Sequence, residues 1–321
     1  MKNYAQGILF CTVATLSWGG MFPVMSGALE HMDPFVFTLV RYSLAGLAFL
    51  AILVHREGVA SLKLKGQRAW LAWLFGTAGF AGFGFLVFLG QQMAGKEGVL
   101  TASIIMATQP MLGVLVNWIL RKVRPPAYSI FFIALSFCGV ALVVSRGDVG
   151  ALLSEPANFS ADLVILLGAL CWVLYTVGGS FFPSWSPYKY TTVTTGLGLV
   201  SVLVVNVALW WSGVTAFPVW DQLITVTPHL LYMAFVAGVV GVLCWNIGNR
   251  ILTPLNAVLF MDVIPMTAFL VSSLQGVVPA RVQIIGACFT GLALVCNNLF
   301  LRLMSARNHA PVAGKISRGR A

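Results

Sequence analysis

The sequence has very little charge. Asp, Glu, Lys and Arg make up only 9% of its 321 residues, nine residues are acidic, and 59% are hydrophobic. The mean hydropathy is +0.91. A water-soluble domain carries about 25% charged residues, because its surface must stay hydrated. The scarcity of charge therefore excludes a soluble globular protein and indicates that most of the surface faces lipid.

Motifs for catalysis and for metal binding are also lacking. The sequence has no phosphate-binding loop, zinc signature or nucleophile elbow, and its six cysteines lie in apolar runs without C-x-x-C spacing. We therefore expect no disulfide, no metal and no cofactor. The nine acidic residues form no paired acid/base cluster, so a membrane-embedded enzyme such as an acyl or lipid transferase is only a lesser alternative.

The hydrophobic residues occur in long runs. A membrane-spanning helix needs about 20 mostly apolar residues, so these runs predict an all-α polytopic membrane protein with ten transmembrane helices. The predicted spans are 4–26, 34–54, 69–90, 98–120, 128–145, 162–182, 190–211, 229–249, 256–274 and 280–303. The first run has no cleavage site near its end, and we interpret it as an uncleaved helix.

The net charge of +10 is distributed as in a membrane protein. Most of the 19 Lys and Arg residues fall in connections and tails that share the side of the N-terminus. The exceptions are Lys96, Arg146 and Arg281 on the other side and Arg41 within a span. The positive-inside rule then places both termini in the cytoplasm, with the protein in the inner (plasma) membrane. No basic motif with interleaved aromatic residues suggests a nucleic-acid partner.

The two halves of the chain resemble each other at a separation of 152–155 residues. The segment TLSWGGMFP aligns with ALCWVLYTV, and GVLTASIIMATQPMLG aligns with TPLNAVLFMDVIPMTA. Further matches relate residues 33–48 to 186–201 and residues 138–144 to 290–296. Each half then holds five spans, and because five is odd, the second half must enter the membrane from the opposite side.

This pattern predicts two inverted five-helix repeats, 1–150 and 151–303, followed by a basic cytoplasmic tail, 304–321, near anionic headgroups. Secondary transporters with inverted repeats place their substrate site near the midplane, between the halves. Rocking of one half against the other then exposes that site to each side in turn.

A family resemblance is carried by three segments, namely the opening LSWGG-x-FP, the DPF and LVRY of the second span, and the Gln, Leu, Pro and Val of the fourth. They resemble the drug/metabolite transporter superfamily, and most closely its EamA-type exporters, including the aromatic amino acid exporters. The resemblance implies a ten-helix fold whose cavity is formed largely by spans 1–4 and 6–9. A Gly-Glu pair that members often carry after spans four and nine is missing from 116–122 and 273–281, so no coupling role is implied there.

Polar residues inside spans are candidates for substrate binding, because they are costly in lipid. Arg41 can hold a substrate carboxylate or, as we favour, act structurally or as a gate near the outer mouth. Asp262 can carry a proton, bind an amino group, or simply pair with a neighbouring helix. The amides of Gln91, Gln109 and Asn246 can orient a zwitterion or join helices.

Aromatic and sulfur-containing side chains complete the predicted lining. Trp18 and Trp172 occupy equivalent repeat positions; they can form opposite walls that stack flat substrates, or each can face lipid or pack between helices. The remaining candidates for the lining are Tyr42, Met106, Tyr175 and Trp245. Methionine suits a cavity that must adapt to varied apolar ligands.

The sequence thus predicts a secondary transporter that exports small amphipathic metabolites, with aromatic or apolar amino acids as the favoured substrates. Its expected partners are that small-molecule substrate and membrane lipid; the sequence leaves the oligomeric state open and is compatible with a monomer. Multidrug or organic-cation efflux is the alternative within transport. A cation would favour Asp262 as counter-charge, whereas an amino acid carboxylate would use Arg41 or the amides.

Overall fold

The structure is a computed structural model that describes residues 2–64, 68–95, 98–122, 124–145, 156–252, 257, 260–261, 263–276 and 279–308. Within these residues the chain is helical and has no strand. The helices are α1 (Lys2–Leu29), α2 (Pro34–Glu57), α3 (Ala69–Met93), α4 (Gly98–Met106), α5 (Gln109–Arg121), α6 (Ala127–Val144), α7 (Pro156–Gly178), α8 (Pro187–Trp211), α9 (Trp220–Leu252), α10 (Val263–Leu274) and α11 (Arg281–Asn308).

Every predicted span overlaps one of these helices or the pair α4 and α5. Six helices are long and apolar enough to cross a membrane, namely α1, α2, α3, α7, α8 and α9. The pair α4 and α5 gives a seventh candidate, with a bend of 46° between its parts. Helices α6, α10 and α11 contribute shorter apolar segments. The described chain is therefore an all-helical, multi-pass membrane protein.

The bend between α4 and α5 lies just before Pro110. Proline has no N–H to donate to the carbonyl of Met106, four residues earlier, so the regular helix is interrupted. The chain bridges the break with tighter bonds, from Ala107 N to Ile104 O and from Thr108 N to Ile105 O, both at 3.0 Å. The break places Met106 and Gln109 side by side at the centre of the bundle.

Helix α9 begins earlier than the predicted start at residue 229. It starts at Trp220, where the Gln222 side chain accepts a hydrogen bond from Val219 N at 3.2 Å. Pro228 therefore lies inside the helix and does not mark its boundary. Membrane helices tolerate internal proline where neighbouring helices cover the freed carbonyl, so a proline is a poor guide to their ends.

The second helix of each half begins with the same N-terminal capping arrangement. Pro34 and Pro187 occupy the first turn of α2 and α8, where a missing N–H costs nothing. Asp33 accepts a hydrogen bond from Phe35 N at 2.8 Å, and Ser186 accepts one from Lys189 N at 3.0 Å. The third helix of each half also widens into a π-helical segment, Thr77–Gly82 in α3 and Tyr232–Val240 in α9. The sequence repeat is therefore also a repeat of local structure.

Helix α1 lies between α9 and α10 and also contacts α3 and α4. Its two glycines in LSWGG permit this position, because a Cβ on Gly19 would lie 2.3 Å from Thr267 Cβ of α10. Near its start α1 meets α9, where a Cβ on Gly248 would lie 2.6 Å from Cys11 Sγ. Helices α6 and α11 pack against each other and line neither of the two cavities described below.

Candidate functional site

A small central cavity lies within the bundle, and its water-accessible volume is about 20 Å³. Its lining residues come from α1 to α5, α7, α9 and α10, which are spans 1–4, 6, 8 and 9. They are Trp18, Met21, Phe22, Arg41, Tyr42, Phe83, Met106, Gln109, Trp172, Val242 and Ile264. This is room for about one water molecule, so the cavity must widen before it can hold a small-molecule substrate.

Arg41 is the only charged residue among these lining residues, and it is 2% exposed. Its Nε donates to the carbonyl oxygen of Met233 at 3.0 Å, and its guanidinium carbon lies 4.6 Å from the ring centre of Tyr42. One terminal nitrogen reaches Met21 Sδ at 3.8 Å, whereas the other has no hydrogen-bond partner among the described residues. A buried charged donor without a partner is costly, so this nitrogen is suited to bind an anionic group inside the cavity.

Gln109 is the second polar residue at this site. Its Nε2 lies 3.2 Å from Met106 Sδ, a weak acceptor. Both polar side chains of the central cavity thus contact a methionine sulfur, Arg41 that of Met21 and Gln109 that of Met106. A ligand oxygen can replace a sulfur contact with a stronger hydrogen bond, and the flexible methionine can move aside.

The aromatic wall of the cavity differs from the predicted slot. The rings of Trp18 and Trp172 meet edge to face, with centroids 5.5 Å apart and planes at 83°. Rings in contact leave no room for a flat molecule between them, so the expectation of opposite walls is wrong. The two side chains form one continuous wall, which Phe83 extends at 5.2 Å from Trp172.

An aromatic partition, formed by Trp18, Trp172, Tyr175, Tyr190 and Trp245, closes one end of the central cavity. The ring of Tyr175 lies 5.0 Å from that of Trp172 and 5.2 Å from that of Tyr190. Trp245 contacts Trp18 at 5.3 Å. Tyr175 and Trp245, both predicted to line the cavity, are therefore buried within the partition.

Asn246 holds this partition in place from its far side. Its Nδ2 donates to Thr191 Oγ1 at 2.8 Å and to the Tyr175 hydroxyl oxygen at 3.3 Å. The Tyr190 hydroxyl donates to the carbonyl oxygen of Tyr175 at 2.5 Å. These bonds join α7, α8 and α9 at the level of Tyr175.

Beyond the partition lies a larger, more open space of about 490 Å³, which we call the vestibule. It is found where α5, α7 and α9 end and α8 begins, at the side predicted to be cytoplasmic. Its lining residues are Asn117, Thr176, Val177, Gly179, Ser180, Phe182, Pro183, Trp185, Ser186, Pro187, Tyr190, Asn246, Asn249 and Arg250. The structure thus divides the predicted site residues between two spaces.

Gln91 and Asp262 are the two remaining predicted site residues. Gln91 is 2% exposed and donates to the carbonyl oxygen of Phe22 at 2.8 Å, so it joins α3 to α1 and does not line the cavity. Asp262 lies outside the described residues. Sequence reasoning missed Phe22, Phe83, Val242 and Ile264 as lining residues, because an apolar residue in a membrane helix gives no signal of which face it occupies.

Comparisons with known proteins agree with this architecture. The EamA-like transporter family matches the chain twice, at residues 5–145 and 159–299. A Bacillus subtilis protein named "Uncharacterized transporter YrdR" is 34% identical over 92% of both chains. "Uncharacterized transporter YyaM" of the same organism is 27% identical over 89% of this chain and 91% of its own.

A solved crystal structure superposes with a TM-score of 0.64 at 21% identity, covering 95% of this chain and 99% of the other. At this identity the likeness shows the fold alone. The family matches cover both halves of the described bundle and contribute all of the residues that line the central cavity and the vestibule. The chain therefore belongs to the EamA-like transporter family.

Proposed function

We propose that this EamA-type transporter is a secondary exporter of small amphipathic metabolites that carry a carboxylate, with aromatic or apolar amino acids as its main substrates. The observation that carries this proposal is the unpartnered nitrogen of Arg41 within an otherwise apolar, aromatic cavity. In this interpretation the substrate carboxylate binds Arg41 and Gln109, and the apolar side chain packs against Trp18, Trp172 and Phe83.

Organic-cation efflux fits the central cavity less well. The described lining includes a guanidinium and no carboxylate, so a cation entering it would meet like charge at short range. Removal of both charges from water would add to that cost. An anion or a zwitterion with its carboxylate toward Arg41 avoids this repulsion.

We further propose ten spans arranged as two inverted repeats, 1–150 and 151–303, with the tail 304–321 and both termini in the cytoplasm. The placement of equivalent residues supports inversion. Gln91 contacts Phe22, which lies toward the end of α1. Its repeat equivalent Asn246 is two residues before Gly248, and Gly248 approaches Cys11 near the start of α1. The two equivalent residues therefore lie near opposite ends of α1. Transport then requires the aromatic partition to open toward the vestibule and an equivalent barrier to open on the other side.

The topology is tested with reporters fused to each end of the chain, one that is active only in the cytoplasm and one active only outside it. We expect the cytoplasmic reporter to be active at both ends. Activity of the two ends in opposite compartments would contradict the inverted arrangement.

The substrate class is tested with purified protein in proteoliposomes. We expect labelled tryptophan to be taken up in counterflow against unlabelled tryptophan, and a quaternary ammonium dye to be neither transported nor competitive. The Arg41→Gln variant should lose tryptophan counterflow, whereas Arg56→Gln, which removes an exposed arginine at the end of α2, should retain it. Dye transport without tryptophan transport would overturn the proposal.

A further inference from the structure

The vestibule contains polar atoms whose hydrogen-bonding capacity is unused. Asn117 Oδ1 and Asn249 Nδ2 are buried and have no hydrogen-bond partner within the described part of the chain. Buried amide atoms are rarely left without a partner. In this arrangement Asn117 offers an accepting oxygen and Asn249 offers a donating nitrogen.

Two cationic side chains lie near the opening of the vestibule. Arg250 is exposed at its edge, and Lys189 lies beside it with its Nζ 5.0 Å from the ring centre of Trp185. No Asp or Glu belongs to the described lining of the vestibule. This combination favours a ligand with a negative group directed toward the opening.

Aromatic side chains form the apolar part of the vestibule. Phe182 and Trp185 have ring centroids 4.4 Å apart, and Phe182 lies 5.8 Å from Tyr190. Tyr190 in turn stacks on Tyr175 of the aromatic partition. An apolar body bound here would therefore rest against the outer face of the partition while its polar end stayed near Arg250.

We propose that the vestibule is a second substrate site, distinct from the central cavity, which binds an amphipathic amino acid before the solute crosses the partition. This inference rests on the proposed function for its substrate class. The carboxylate binds Arg250 and the donating amide of Asn249, the ammonium binds the accepting amide of Asn117, and the side chain packs on Trp185 and Tyr190.

The two spaces are separate sites because the buried ring of Tyr175 and its bond to Asn246 lie between them. Asn246 both lines the vestibule and holds Tyr175. A solute that competes for the Asn246 amide would weaken the hydrogen bond between Asn246 and Tyr175. Binding in the vestibule would in this way favour opening of the partition.

The proposal is tested by equilibrium binding of labelled tryptophan to the full-length protein in lipid nanodiscs. We expect about two tryptophan molecules per chain for the wild type. The double variant Asn249→Leu and Arg250→Gln should bind one, and so should Arg41→Gln, because each removes a different site. The control Arg56→Gln should still bind two, and monodisperse elution checks that each variant is folded.

The outcomes separate this inference from the proposed function. One tryptophan per wild-type chain, lost in Arg41→Gln but unaffected by the vestibule double variant, would overturn the second site and leave the proposed function intact. No tryptophan binding and no tryptophan transport by the wild type would overturn both.

Discussion

The central cavity and the vestibule are separated by one layer of aromatic side chains, but their polar groups are arranged differently. In the central cavity a single buried guanidinium is anchored through Nε to Met233 O, and its remaining contacts are sulfur or aromatic rings. In the vestibule amides with unused atoms line an open space with Arg250 at its edge. The difference shows that a buried charge lies only in the described lining of the central cavity, whereas the charge at the vestibule is exposed to water.

The largest effect is expected at Arg41. Its replacement by Gln removes a charge-assisted contact of about 1.5–3 kcal/mol, which corresponds to a loss of roughly tenfold to a hundredfold in substrate affinity. The Arg41→Lys variant should recover little of the substrate affinity. An ammonium lacks the planar fork with which a guanidinium binds Met233 O and a ligand at the same time. Tryptophan counterflow at several concentrations measures the change, and wild-type KM in Arg41→Gln would show that Arg41 is purely structural.

A smaller effect should distinguish the two glutamines. Gln109→Leu removes a cavity hydrogen bond and is expected to raise KM by several fold, for a bond of about 1 kcal/mol. Gln91→Leu leaves the carbonyl of Phe22 without its side-chain donor, and should lower the thermal stability with KM unchanged. Thermal unfolding in detergent and counterflow kinetics measure the two quantities. Equal effects of both variants on KM would contradict the conclusion that Gln109 lines the central cavity whereas Gln91 joins two helices.

These two glutamines also show how far the sequence alone could predict the site. Both are amides in apolar runs, and the cost of such groups in lipid correctly singled them out. Which of them faces the cavity depends on the bend at Pro110 and on how α3 packs against α1, and neither follows from residue type. The repeat offset likewise paired Trp18 with Trp172 but could not reveal that their rings touch.

The vestibule was harder to predict because its lining residues come from the ends of four different helices. Asn246 was recognised as an amide within a span, but its residue type could not show that it lines the vestibule. The all-helical membrane fold and the two related halves were easier to predict, because long apolar runs and matched motifs are local properties of the chain. Which residues line each cavity depends on tertiary packing.

The smallest effect is expected at the partition itself. Tyr175→Phe keeps the ring that separates the two spaces but removes the hydroxyl that accepts from Asn246. Loss of a neutral hydrogen bond of about 1 kcal/mol should ease opening and raise the counterflow rate by up to about fivefold. The control is Tyr4→Phe, which removes an exposed tyrosine hydroxyl near the start of α1. An unchanged rate in Tyr175→Phe would mean that this bond does not hold the partition closed.

The central claim is that the transported solute occupies the central cavity beside Arg41, and protection of Met106 tests it most directly. In a chain whose six native cysteines are replaced by alanine, Met106→Cys would be labelled with a small thiol reagent in proteoliposomes, with and without tryptophan. We predict slow labelling that tryptophan suppresses further in a concentration-dependent manner, and no suppression when Arg41→Gln is also present. Labelling that is indifferent to tryptophan, in a chain that still transports it, would contradict the claim.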